Sequence, residues 1–471
     1  MNFATAQFSI FFAIVFFLYW HLRKKHQNLL LLGASMAFYS FWDWRFLSLI
    51  VISIVSNYYG GQWIAEATTK TKRNIWLILC IAINISLLAY FKYANFFIES
   101  TLALAAEFNW HVSEVTLNIT LPVGISFYIF QSLSYSLDIY RGKLTPQHGL
   151  LDFATFVAFF PQLVAGPIVR AKEFLFQLEA ERIFKFQQLE NGITRFLTGL
   201  FKKVVIADSL AVYLVDPVFS NPDAYSSGTL WLAMFGYAIQ IYADFSGYSN
   251  MAIGCALMLG FKIPENFNYP YLATNFSSFW QRWHMTMSRF FRDYVYIPMG
   301  GNRRSSSRNM INLATTTLVS GLWHGAAWTF VCWGGLHGVY IVASHIISDF
   351  SKKARFQSFL HLLPAWFFTQ IFVCFAWVLF RSQDLPSAQR YLTNLFISDN
   401  SGPLSIEVSW YIALCFIAVV IDHLYGFLKE KNYMVSSSIQ RYFKPAFIAA
   451  LVIIIFNGRP EQASPFIYFQ F

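Results

Sequence analysis

Residues 278–338 read SFWQRWHMTMSRFFRDYVYIPMGGNRRSSSRNMINLATTTLVSGLWHGAAWTFVCWGGLHG. A polar, arginine-rich stretch runs straight into an apolar one, and the apolar part carries His324 and His337. His284 lies upstream, among tryptophans. An ionisable side chain in hydrocarbon is costly, so by default it marks function and faces protein or a water-filled cavity. The stretch therefore reads as a reaction centre inside a bilayer, with the rest of the chain as its housing.

The composition agrees. Of 471 residues, 56% are hydrophobic, 20% aromatic and only 12% charged, against about 25% charged in an ordinary soluble domain. Apolar runs recur at about 8–22, 29–42, 46–64, 75–98, 121–139, 150–168, 204–218, 230–261, 311–347, 364–380, 410–427 and 446–456. The chain reads as an all-α polytopic membrane protein. The first two runs are short for a hydrocarbon core of ~30 Å. The first also lacks a basic segment before it and a cleavage site after it, so it reads as a retained helix. The run 150–168 is interrupted by Pro161, Gly166 and Pro167 and reads as re-entrant. The run 311–347 would span ~55 Å as one helix, so a break is expected near Gly321 to Gly325. Cys80, Cys255, Cys332, Cys374 and Cys415 sit singly in apolar runs and read as small buried hydrophobes. No linker or low-complexity tract separates a second domain. The expectation is one membrane domain over residues 1–471, with cytoplasmic interfacial segments at about 169–203 and 262–308.

The net charge of +10 is no nucleic-acid signal once the charges are placed along the chain. With the N-terminus outside and the spans alternating, 29 of the 34 basic residues fall in inner loops. They cluster at Arg23 to Lys25, Lys70 to Arg73, Arg141 and Lys143, 170–203, 262–308, Lys352 to Arg355, and Lys429 to Lys444. The outer segments hold Glu107, Glu114, Asp223, Asp384, Asp399 and Glu407. Both termini are expected outside the cytoplasm.

Residues 278–296 fit a helical period, with Trp280, Trp283, Met287, Phe291 and Tyr294 on one side and arginines mostly on the other. That is the pattern of a helix lying in the membrane interface, with His284 at the edge of its apolar face. The plainer alternative for His284 is an interfacial histidine bonded to a carbonyl. His324, if helical, lies ~20 Å from the inner edge of its run, near mid-depth. Imidazole titrates near pH ~6.5, which suits a base that takes a proton from a hydroxyl nucleophile; the alternative is a buried structural histidine. His337 is thirteen residues on and so on another face. It reads as structural or pocket-lining. The span 237–254, YAIQIYADFSGYSNMAIG, places Gln240, Tyr242, Asp244, Tyr248 and Asn250 among apolar residues. Asp244 needs a partner there, and Tyr237 and Tyr248 are in helical reach. A polar tunnel wall fits this span better than a catalytic acid. Lys262, Arg303, Arg304 and Arg308 could meet donor phosphates or anionic headgroups, and the lipid reading is the default.

Four stretches, FFPQLVAGPIVR (159–170), IQIYADFSGYSNMAIG (239–254), 266–303 and SGLWHGAAWTFVCWGGLHG (320–338), together resemble the membrane-bound O-acyltransferase (MBOAT) family, in its bacterial alginate O-acetyltransferase branch. The resemblance implies a ring of about 10–12 transmembrane and re-entrant helices around a central tunnel, with motifs concentrated in 122–338. It implies His324 as the catalytic histidine of a WHG motif and His284 as the second family histidine. Asp244, Tyr248, Arg282, Trp323 and Asn250 are the expected substrate-side supports. It also implies a cytosolic acyl donor (acetyl-CoA), no bound cofactor or metal, and an extracytoplasmic polysaccharide acceptor. A separate SGNH-type acetyltransferase partner is expected too. The rivals are transfer of D-alanyl or another acyl group from a carrier protein, a proton-coupled transporter and a non-catalytic export scaffold. The transporter reading lacks the inverted repeats and paired broken helices such proteins show.

Overall fold

A computed structural model describes residues 1–110, 117–147, 149–353, 362–397, 409–433, 437–461 and 464–469. Glu114, Arg355, Asp399 and Glu407 lie outside the described residues. All regular elements among the described residues are helices. Four helical stretches, Lys24–Glu66, Lys70–Glu107, Leu362–Arg381 and Trp410–Glu430, are long and apolar enough to cross a membrane. Several helices begin on a side-chain cap. Thr5, Thr69, Ser305, Asp384 and Ser409 each accept a backbone N–H from the first turn. Large apolar side chains such as Ile14, Phe17, Ile78 and Val420 stand exposed, a surface that lipid covers in a spanning protein.

Two compact units divide the chain. Unit one, residues 1–196 with 251–264, is built on helices that include Leu47–Glu66, Lys70–Leu88 and Ile125–Tyr140. These three pack together through small neutral polar groups. Ser53 Oγ meets Asn84 Oδ1 and Ser132 Oγ at 2.7 Å each, and Ser136 Oγ donates to Asn57 Oδ1 at 2.7 Å. In hydrocarbon such pairs are the usual glue between helices. The run 150–168 is interrupted here, as its prolines and glycine led one to expect. A helix covers Leu150–Ala158, and residues 159–170 continue as buried non-helical chain.

Unit two comprises residues 197–250 and 265–471. Its long helix is Ser227–Met258, of which the residues to Asn250 belong to this unit. The long apolar run breaks where expected: Ser306–His324 and Trp328–Lys353 form a helical hairpin, with 325–327 as its tip. The two arms touch backbone to backbone. A side chain at Gly321 would meet Gly334 Cα at 3.0 Å, and one at Gly338 would meet Thr317 Oγ1 at 2.7 Å. Only glycine permits that approach.

Two expectations need correction. The stretch 278–296 is not one interfacial helix: Phe276–Arg282 stops, Trp283 and His284 turn, and Met285–Phe291 starts afresh. The reason is a contact with a distant part of the chain. His284 takes a left-handed backbone (φ 41°), and Met285 N–H donates to Asn266 O at 2.9 Å instead of continuing the turn. Cys332 is exposed, whereas the other four cysteines are buried as expected.

Candidate active site

His324 is the last residue of the hairpin's first arm, and only 3% of it is exposed. Its ring lies 4.9 Å from Trp323, 4.9 Å from Trp333 and 5.2 Å from Phe380, centroid to centroid. Nδ1 is 3.3 Å from the hydroxyl of Tyr468. An aromatic box and one hydroxyl thus fix the imidazole in place.

His284 is fully buried, and its ring centroid is 6.4 Å from that of His324. Asn266 holds it. Asn266 Oδ1 accepts from Thr286 N–H (3.3 Å) and Thr286 Oγ1 (2.8 Å), and its amide nitrogen donates to Ser249 Oγ (3.2 Å). With the oxygen so assigned, the 3.1 Å contact with His284 Nδ1 is a donated N–H. The lone pair then lies on Nε2. The left-handed backbone at His284 is uncommon for a non-glycine residue, and here it turns the ring inward to this network.

Trp323 joins both histidines: it is 97% buried, with its ring 5.9 Å from His284. Tyr248 is buried and stacks on Phe466 at 4.5 Å. Asp244 takes its partners from outside its own helix. Its Oδ1 pairs with Lys203 Nζ at 2.8 Å, and its Oδ2 accepts Ile467 N–H at 2.7 Å. Arg282 points elsewhere, into a forked pair with Glu430 at 2.6 and 3.1 Å. Asn250 is half-buried and enters none of these contacts. His337 is fully buried between Trp280 and Trp333, at 5.0 and 4.7 Å. It lines a cavity of about 470 Å³ with Ser288, Arg289, Thr317 and Ser320. Trp333 forms part of that cavity's wall and also abuts His324.

Sequence reasoning missed Asn266, Lys203 and Tyr468. Asn266 lies inside a quoted motif but was not singled out. Lys203 was counted among loop charges. It is followed by Asp208, an acid within the apolar run 204–218, and that acid was the available signal.

Residues 143–383, which contain all four motif stretches, match the membrane-bound O-acyltransferase family (MBOAT). The chain belongs to that family: it is a multi-pass membrane O-acyltransferase. It is 40% identical over 437 aligned positions to the probable alginate O-acetylase AlgI of Azotobacter vinelandii, covering 90% of this chain and 85% of that protein. Identity to the protein of the same name in Pseudomonas aeruginosa is 41% over 400 positions, covering 84% and 75%. The peptidoglycan O-acetyltransferase of Helicobacter pylori is 34% identical over 523 positions, covering 100% and 97%.

Proposed function

We propose that this enzyme passes acetyl groups from cytosolic acetyl-CoA toward the hydroxyls of an extracytoplasmic polysaccharide, with His324 as the general base. The observation that carries the reading is the buried His324 imidazole at 3.3 Å from a hydroxyl, with a second, tethered imidazole beside it. The base takes the hydroxyl proton, and the oxygen attacks the thioester carbonyl. The carbon–sulfur bond breaks, and the leaving thiolate takes a proton back from the imidazolium. His284, tethered by Asn266, orients the thioester beside the base, and Trp323 walls the space between the two rings. Tyr468 holds the ring at Nδ1 and so aims the imidazole at the substrate hydroxyl.

The cavity beside His337 offers the donor's acyl arm a place next to Trp333, and its arginine side fits arrival from the cytosol, where inner-loop charge concentrates. Positive-inside placement puts both termini outside the cytoplasm, where a separate SGNH-type partner would complete transfer to the glycan. The names of the relatives, alginate O-acetylase and peptidoglycan O-acetyltransferase, support a cell-envelope or secreted polysaccharide as acceptor.

The test is His324→Ala in proteoliposomes loaded with acetyl-CoA. Acetyl transfer should fall about 10²–10⁴-fold, the usual contribution of a general base, with insertion and melting unchanged. Undiminished transfer by that variant would remove the base assignment.

A further inference from the structure

Lys203 is 98% buried, and its ammonium has three protons to place. Two go to carboxylates, Asp208 Oδ1 at 2.7 Å and Asp244 Oδ1 at 2.8 Å. The third goes to the backbone carbonyl of Ser464 at 3.0 Å. Two carboxylates face one ammonium in a dry site, and buried carboxylate oxygens demand further donors. Ile467 N–H supplies one, at 2.7 Å from Asp244 Oδ2. The segment 464–469 is thus held at two backbone points, a carbonyl on the cation and an N–H on the anion.

What that segment carries is Tyr468. Phe466 stacks on Tyr248 at 4.5 Å, and the Tyr468 ring packs on Phe245 at 4.3 Å. Its hydroxyl reaches His324 Nδ1. The residues on either side of the clamped Ile467 are therefore seated on the helix that bears Asp244. The local geometry is built for this grip. Hydrogen bonds running i to i+5 over Lys202–Ala207 bring Lys203 and Asp208, five residues apart, to one side. Gly247 lets the helix of Asp244 approach, since a side chain there would meet Gly199 O at 2.7 Å.

We propose that Lys203, with Asp208 and Asp244, is a positioning residue: the buried ion cluster clamps the segment 464–469 and thereby sets Tyr468 against His324. The inference rests on the proposed acyl transfer for its kinetic consequence but not for its structural one. Asp244, on this reading, serves the segment rather than the substrate.

The experiment uses the full chain in detergent or nanodiscs and two readouts. The first is amide hydrogen exchange of the peptide covering 464–469, which reports local opening directly. Lys203→Met should raise that exchange by about tenfold or more beyond any rise in the 306–324 helix. Should Lys203→Met fail to fold, the triple variant Lys203→Met, Asp208→Asn, Asp244→Asn removes every charge of the cluster together and leaves no buried charge unpaired. It should show the same local rise. Unchanged exchange of 464–469 in either folded variant overturns the clamp.

The second readout is acetyl transfer. Displacement of a reacting group by an ångström costs about 10²-fold, so kcat should fall on that scale with the donor KM unmoved. In a Tyr468→Phe background the same cluster change should cost no more than about twofold, because the two act through one contact. Multiplying losses would overturn the positioning role. If the wild type transfers no acetyl, the proposed function fails, and the exchange result still decides the clamp.

Discussion

The two units solve the same problem, polar groups in a dry interior, in opposite ways. In unit one, Ser53, Asn57, Asn84, Ser132 and Ser136 join three helices with neutral hydroxyls and amides, each short and within reach of its neighbour. In unit two, Lys203, Asp208 and Asp244 place full charges at comparable burial, and a polypeptide segment completes the set. Neutral pairs hold helices together at little risk. A buried ion cluster adds little net stability but fails badly when broken. The proposed clamp thus relies on the kind of contact that fails most when one member is lost.

That contrast can be broken at either end. Lys203→Met leaves two carboxylates buried without their cation, and unfolding free energy should drop by about 3–5 kcal/mol in a detergent denaturation series. A drop as small as that of a neutral pair would erase the distinction. Gly247→Ala pushes a methyl group onto the backbone at Gly199 O, 2.7 Å away, and Lys203 N, 3.1 Å away. It should cost about 1–3 kcal/mol by overpacking, and it should loosen 464–469 by moving Lys203. Ser53→Ala on the neutral side should cost only about 0.6 kcal/mol, the average for hydrogen bonds between membrane helices, with acetyl transfer intact. Arg282→Gln removes a forked but partly exposed pair with Glu430. Its effect on melting should be about 0.2–1 kcal/mol, shrinking further in high salt.

Much of this was legible in the sequence. The break in 311–347 followed from length alone, since one helix cannot fill the run, and Gly321 and Gly325 marked its place. His324 stood out because imidazole is rare in an apolar stretch. The turn at His284 was hidden. Residues 278–296 keep a helical period across it, and what bends the chain is a hydrogen bond to Asn266, eighteen residues back. The ion cluster was hidden for two reasons. On an α-helix, residues five apart diverge by about 140°, so Lys203 and Asp208 do not read as a pair until the wider turn is seen. The third member and the clamped segment come from far along the chain. A six-residue stretch with no periodicity gives no hint of what it touches.

The glycine contacts of the hairpin carry one more consequence. Because the arms Ser306–His324 and Trp328–Lys353 meet at bare backbone, neither can slide past the other, and the first arm works as a ruler with the imidazole at its end. Inserting one residue midway along it would lift that ring by about 1.5 Å and swing it by about 100°. The height of the imidazole along the hairpin is thus counted out in residues.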